Sequence, residues 1–203
     1  MNRRELLKGV GLATASAFPL LAASSSQAQV STSAPTVLIT YHSVTGNTEK
    51  MAQGMAEGAK AVPGTIVVLK RVSEVAADDL LSCDAVMVGS PVYFANMSGE
   101  VKTFLDNWSL KFGLFQDRKM RNKVGAAFAT GGFVSGGIET TMQGIHGAMF
   151  NNQMIVVSGA GSNAITGPGS PGIDERELAG ARDWGKRVAE VAAIVKRGAM
   201  RVQ

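Results

Sequence analysis

The chain has 203 residues, with 45% hydrophobic and 18% charged side chains, a formal net charge of +4 and a single cysteine. This is the composition of a folded globular protein rather than a disordered or collagen-like one, and one cysteine excludes an internal disulfide framework. The basic residues are scattered and the aromatics sit in apolar contexts, so no nucleic-acid partner is expected.

In chain order, the first feature is an address rather than a structural element. Asn2-Arg3-Arg4-Glu5-Leu6-Leu7-Lys8 is a charged head with paired arginines, Val10 to Ala23 is a mildly apolar run, and Ser26-Gln27-Ala28 fits a small-residue cleavage site. The pattern reads as a twin-arginine export signal over residues 1–28, which would place the mature protein in the periplasm or otherwise outside the cytoplasm; the alternatives are an N-terminal amphipathic helix or a chance Arg-Arg in an ordinary secretory signal. The apolar run is shorter than about 18 residues and is diluted by Gly, Ser, Thr and Pro, so no stable membrane anchor is expected after cleavage. Arg3, Arg4 and Lys8 against Glu5 account for half of the formal +4. A short linker at 29–35, one domain over 36–198 and a tail at 199–203 complete the expected organisation, with enough chain for a sizeable core.

Strand-like and helix-like segments then alternate. Val37 to Tyr41, Thr65 to Leu69, Ala85 to Gly89, Val124 to Ala129 and Met154 to Val157 are short runs rich in Val, Ile, Ala and Met, the pattern of strands covered on both faces. Between them lie helical segments at Thr48 to Ala61, a short turn at Asp78 to Leu81, Gly99 to Leu110, Ile138 to Met149 and Asp174 to Arg197. Val101, Phe104, Leu105 and Trp108 recur at helical spacing and form a core-facing stripe, as do Leu178, Val188, Val191 and Val195. Cys83 is expected buried at a strand start. The alternation predicts an α/β fold with a doubly wound five-stranded parallel sheet in three α/β/α layers. If the strands run in the order 2-1-3-4-5, the winding reverses between the first and third, and a ligand binds there, outside the carboxyl ends of the strands.

Three loops fall at that edge. After the first strand comes Thr40-Tyr41-His42-Ser43-Val44-Thr45-Gly46-Asn47-Thr48, small hydroxylated residues and one glycine leading into a helix. Free N–H groups and the positive end of the helix dipole would converge on an anion there. Without the Gly-Lys-Ser/Thr of a triphosphate loop it suits a single terminal phosphate, although such residues also favour plain helix caps. After the third strand, Ser90-Pro91-Val92-Tyr93-Phe94-Ala95-Asn96 offers two adjacent aromatics, and Ser98 is a good N-cap for the next helix. After the fourth, Thr130-Gly131-Gly132-Phe133-Val134-Ser135-Gly136-Gly137 permits close backbone approach to a ligand.

Gly89-Ser90-Pro91-Val92-Tyr93-Phe94-Ala95-Asn96-Met97-Ser98-Gly99-Glu100-Val101-Lys102-Thr103-Phe104-Leu105-Asp106 resembles the G-[ST]-P-x-x-F-[GA]-N-M-[SA]-G-x-[MV]-[KR]-x-F-L-D segment of Trp-repressor-binding-protein-like NAD(P)H:quinone oxidoreductases. Gly136-Gly137-Ile138-Glu139-Thr140-Thr141 is similar to that family's Gly-Gly-x-Glu-x-Thr, and the first loop is similar to the phosphate loop of flavodoxins. The resemblance spans residues 36 to 197 and implies a flavodoxin-like fold and bound flavin mononucleotide (FMN). It further implies that Ser43, Val44, Thr45, Gly46, Asn47 and Thr48 hold the phosphate. Pro91, Val92, Tyr93, Phe94, Ala95 and Asn96 would line the isoalloxazine, with Thr130, Gly131, Gly132 and Phe133 closing over ribityl and ring. Where relatives carry His-His-Gly before the fifth strand, this chain has Asn151-Asn152-Gln153. Asn152 would face substrate with Tyr93 and Phe133, but it does not titrate near neutrality. Relatives often have arginine at the position of Tyr93, and a longer stretch between the second and third strands.

Other motifs carry less. Gly167-Pro168-Gly169-Ser170-Pro171-Gly172 spells G-x-G-x-x-G, but two prolines interrupt it far from a strand; Gly180 to Lys186 lacks the Ser/Thr of a Walker motif; His42 reads as a solvated loop residue, with grazing contact to the phosphate as the alternative. No metal site is expected, since His42 and His146 are far apart and no second cysteine exists. Gly159 to Gly172 reads as a long loop on the cofactor side, either a lid or a connector. The expected function is that of an FMN-dependent oxidoreductase of NAD(P)H:quinone reductase type, with NAD(P)H as a candidate donor and the chemistry carried by flavin rather than by a side chain. Its partners would be a quinone-like small molecule or a redox protein, and a homo-oligomer is open. The other readings are an exported non-enzymatic electron carrier, disfavoured by a sequence pI near 9.4, and a flavin-binding module without turnover.

Overall fold

The computed structural model describes residues 34–133, 136–158, 163–165 and 172–200. The export signal, most of the linker, Val134 and Ser135, much of the 159–172 segment and the last residues of the tail lie outside them. In chain order the elements are β1 (Thr36–Tyr41), α1 (Asn47–Lys60), β2 (Ile66–Arg71), α2 (Ala77–Ser82), β3 (Ala85–Tyr93), β4 (Asn96–Met97), α3 (Gly99–Leu110), β5 (Val124–Gly131), α4 (Ile138–Asn151), β6 (Ile155–Val156), β7 (Asn163–Ile165) and α5 (Glu175–Met200). No described helix is long and apolar enough to cross a membrane.

The sheet runs β2-β1-β3-β5-β6 with these neighbours parallel, which is the flavodoxin-like order 2-1-3-4-5 of the five expected strands. Period-two alternation decides the layers. Val37, Ile39 and Tyr41 of β1, Ala85 and Met87 of β3, and Ala126 and Phe128 of β5 pack with α1 and α5 on one face. Leu38, Val86, Val88 and Ala127 point the other way, toward Leu80 of α2, Val101, Phe104 and Trp108 of α3, and Ile145 and Met149 of α4. The stripes expected on the third and last helices are therefore core.

Three expectations are corrected. β2 is not covered on both faces: it is an edge strand with Ile66 and Leu69 exposed, because only β1 flanks it. β3 does not stop at Gly89 but continues to Tyr93 and folds back, pairing Val92 with Met97 and Tyr93 with Asn96 of β4. The last strand is in two pieces: β6 pairs Val124 and Gly125, while β7 pairs Ala129 to Gly131, so the expected loop from 159 to 172 contains a strand.

α1 and α5 cross at unusually close range. A Cβ on Gly58 would lie 1.8 Å from the Arg182 carbonyl oxygen, and one on Gly185 would lie 1.9 Å from that of Met55. Only glycine on both helices lets the two backbones meet. Elsewhere in the core, Cys83 follows α2 and precedes β3, is 1% exposed, and has its thiol pushed up to about 11, first by burial. It is expected to stay silent toward a disulfide reagent in the native protein and to react stoichiometrically in denaturant; rapid native labelling would contradict this placement.

Candidate functional site

β1 delivers the chain to the carboxyl edge of the sheet at Tyr41, and the His42 N–H is tied to the Gly89 carbonyl of β3 at 3.1 Å. Ser43 is buried, and its Oγ accepts from the Gly46 N–H at 3.1 Å, closing a tight loop. Gly46 sits at φ 86, in the left-handed region that suits glycine, and α1 starts at the next residue with no side-chain cap. The first main-chain bond of the helix runs from Lys50 N–H to the Gly46 carbonyl at 2.9 Å. The N–H groups of Asn47, Thr48 and Glu49 therefore have no acceptor within the helix. A Cβ on Gly46 would meet nothing within 4 Å, so the space before this terminus is open.

The sequence reading assigned three hydroxyls to an anion. The structure uses two of them internally: Ser43 staples the loop, and Thr48 Oγ1 shares a buried hydrogen bond with Thr130 Oγ1 at 2.8 Å. That second bond joins the first loop to the one after β5. Val44 and Thr45 are exposed, and Asn47 Nδ2 donates to Thr45 Oγ1 at 3.2 Å. That leaves the first N–H groups of α1, the exposed Thr45 hydroxyl and the half-buried Asn47 amide for a ligand.

One cation reaches the loop that the loop's own sequence lacks. Arg71 ends β2 in register with Tyr41; its Nη1 donates to the Ser43 carbonyl at 3.0 Å and its Nη2 to Glu49 Oε2 at 2.6 Å. The Tyr41 hydroxyl donates to Glu49 Oε1 at 2.8 Å, and the guanidinium lies 5.5 Å from the Tyr41 ring centroid. Burial, then the Glu49 carboxylate, pushes the Tyr41 hydroxyl up to about 12. Sequence reasoning missed Arg71, although strand order 2-1-3 puts the carboxyl end of the second strand beside the first loop.

The second and third loops bring aromatics to the same edge. Tyr93 is 41%, Phe94 106% and Phe133 70% exposed. Phe94 and Ala95 form a two-residue hairpin turn with φ of 48 and 61, the geometry of a type I′ turn without its usual Asn-Gly. Left-handed backbone costs such residues roughly 1 kcal/mol each. The turn is pinned from outside: a Cβ on Gly137, ahead of α4, would lie 2.4 Å from Ala95 Cα. Beneath it, Ser90 Oγ accepts from the Ser98 N–H at 2.9 Å, and Ser98 caps α3 as expected, accepting from Val101 N–H at 3.4 Å. Pro91 and Val92 are half-buried, Thr130 and Gly131 are buried, and Pro91 is in register with Thr130. Asn96 is exposed, and its Oδ1 accepts from the Met97 N–H at 2.8 Å. Half-buried Gly132 leads into Phe133, whose carbonyl accepts from the Gly136 N–H at 3.1 Å. His42 is not a solvated loop histidine: it is largely buried, with Nε2 3.6 Å from Glu100 Oε2.

Asn152 is the residue the structure does not bring there. It caps the far end of α4, and its neighbour Gln153 accepts from Asn122 N–H ahead of β5. α4 runs antiparallel to the strands, so its 14 residues place Asn152 about 20 Å from the loops. It lines a groove of about 440 Å³ with Met97, Trp108, Leu110 and Phe115 instead. The segment after β7, by contrast, does return to the phosphate loop: Lys50 Nζ donates to the Ile173 carbonyl at 2.8 Å, and a Cβ on Gly172 would meet Asn47 Oδ1 at 3.1 Å. Among the described residues no group of three His, Cys, Asp or Glu could hold a metal.

The residues present fit FMN on two counts. An uncapped helix N-terminus opening onto free space suits a terminal phosphate, and three exposed aromatics at the same edge supply the apolar wall that a flat ring requires. Comparison with known proteins points to the same group. The family described as NADPH-dependent FMN reductase matches residues 36–166. A flavodoxin, WrbA-like protein from Agrobacterium tumefaciens is similar with a TM-score of 0.67 and 27% identity, over 78% of this chain and 98% of that one. A flavodoxin from the domain Archaea gives 0.63 and 24% identity over 77% of this chain and 98% of its own. The flavodiiron protein from Giardia intestinalis gives 0.62 and 16% over 80% of this chain and 37% of that chain. The last two speak to the fold alone.

Proposed function

This chain belongs to the NADPH-dependent FMN reductase family, and from that premise we propose that it is an exported FMN oxidoreductase of quinone-reductase type. The observation that carries the site is the free N-terminus of α1 sharing one sheet edge with Tyr93, Phe94 and Phe133. In this reading the N–H groups of Asn47 and Thr48, with Thr45 and the Asn47 amide, receive the phosphate. Pro91 to Asn96 line the ring, and Thr130 to Phe133 cover ribityl and ring, so that one face stays accessible beside Tyr93 and Phe133. Bound FMN supplies the hydride and single-electron chemistry. The chain's part is to bind, orient and dry one side of the ring; Asn152 lies elsewhere in the same chain, and no side chain is assigned as a catalytic acid or base. Export by the twin-arginine route rests on Arg3-Arg4 and the apolar run that follows.

The test is anaerobic reduction of the purified holoprotein. Bleaching of the flavin by NADPH or NADH, then recovery on adding a soluble quinone, is the expected outcome. Bleaching only by a quinol or by a redox protein would overturn the pyridine-nucleotide donor, and failure of any quinone to reoxidise the flavin would overturn the acceptor class.

A further inference from the structure

We propose that Arg71 is a positioning residue that sets the chain's preference for a phosphorylated flavin, by neutralising Glu49 at the mouth of the phosphate loop. The inference rests on placing the phosphate before α1.

Glu49 is in the first turn of α1, where a carboxylate gains from the positive end of the helix. An incoming phosphate competes for that same end. Left alone, Glu49 would set a negative charge beside a dianion and could fold back onto the N–H groups the phosphate needs. The structure prevents both. Its two carboxylate oxygens are held by separate donors, Oε1 by the Tyr41 hydroxyl at 2.8 Å and Oε2 by Arg71 Nη2 at 2.6 Å, so the side chain is directed away from its own helix terminus. The guanidinium cancels the charge, and its other arm holds the Ser43 carbonyl at 3.0 Å, fixing the loop from behind. Planar, two-armed donation of this kind is within reach of arginine and not of lysine. The Glu74 carboxylate meets the main chain of Arg71 instead, Oε2 accepting from the Arg71 N–H at 3.0 Å. Lys50, the other nearby cation, is committed to the Ile173 carbonyl at 2.8 Å.

Riboflavin, which lacks the phosphate, separates this role from a general effect on the fold. Affinities of the refolded apoprotein for FMN and riboflavin are measured by quenching of flavin fluorescence. Arg71→Met is expected to weaken FMN on the order of tenfold and to leave riboflavin within about twofold. Added salt should recover part of the FMN loss by screening Glu49. Arg71→Lys, which keeps the charge, should lose only about threefold. The double variant Arg71→Met/Glu49→Gln should return FMN affinity to within about threefold of wild type. An unchanged FMN-to-riboflavin ratio in Arg71→Met overturns the proposal, and so does a double variant as weak as the single one, since Arg71 would then act other than through Glu49. If Arg71→Met does not fold, Glu49→Gln alone decides: FMN binding equal to or tighter than wild type at low salt supports the proposal, and weaker binding refutes it. Failure of the phosphate placement itself reads differently, as a Thr45→Asp protein that still binds FMN like wild type.

Discussion

Replacing Thr45 with aspartate will expel FMN while leaving the apoprotein folded. Thr45 is exposed, and the one hydrogen bond its hydroxyl accepts comes from its neighbour Asn47 at 3.2 Å. The substitution should therefore cost the fold no more than about 0.5 kcal/mol. Its new carboxylate, however, would stand in the open space ahead of α1 where the phosphate is placed. Two like charges a few ångströms apart in a partly desolvated site repel by several kcal/mol, so FMN affinity should fall roughly a hundredfold or more. Riboflavin affinity should change little, and Thr45→Asn, which matches aspartate in shape without the charge, should lose only the hydroxyl contact and weaken FMN by no more than about tenfold. Fluorescence titration reads all three, and wild-type FMN affinity in Thr45→Asp would refute the placement of the phosphate.

The largest effect on stability is expected at the crossing of α1 and α5. In Gly58→Ala the added Cβ meets main-chain atoms of Arg182 at 1.8 Å and 2.5 Å, which cannot rotate aside as a side chain could. The helices must part, opening the packing of Met55, Ala59, Trp184 and Val188 that they share with β1 and β3. Overpacking of this kind costs about 3 kcal/mol, a large share of the roughly 5–15 kcal/mol that holds a domain together. Gly147→Ala is the contrasting control. It lies on an exposed face of α4 where a Cβ meets nothing within 4 Å, and should gain up to about 1 kcal/mol from helix propensity. Urea denaturation should move the two midpoints in opposite directions, and equal midpoints for Gly58→Ala and wild type would remove the close crossing from the account.

The parts of the fold legible in the sequence are those decided by burial. Strands buried on both faces show as unbroken apolar runs, and α3 was readable to its ends, Gly99 and Leu110, because a serine cap precedes a stripe at helical spacing. The hairpin from Val92 to Met97 was not readable. Phe94-Ala95 has none of the Asn-Gly signature of such turns, and the backbone contact that holds it comes from Gly137, more than forty residues on. The divided last strand is likewise set by pairing at opposite ends of β5 rather than by anything local. A flavodoxin-like FMN protein was visible in three ordered motifs, whereas the charges around the first loop were not. Arg71 meets Glu49 only because β2 lies beside β1. Asn152 shows the reverse: a resemblance in sequence put it near the ring, and the length of α4 carries it to the opposite edge.

The glycine-to-glycine crossing of α1 and α5 also bears on when the phosphate terminus gains its full support. α1 presents the phosphate terminus at its first residue, but α1 shares its core packing with α5, which follows every other element in the chain. On the ribosome, the terminus is therefore made early and held late. The packing behind that terminus is complete only once residues 175–200 have emerged and docked, so a chain truncated ahead of them is expected to hold flavin more weakly than the full chain, which fluorescence titration of the two would show.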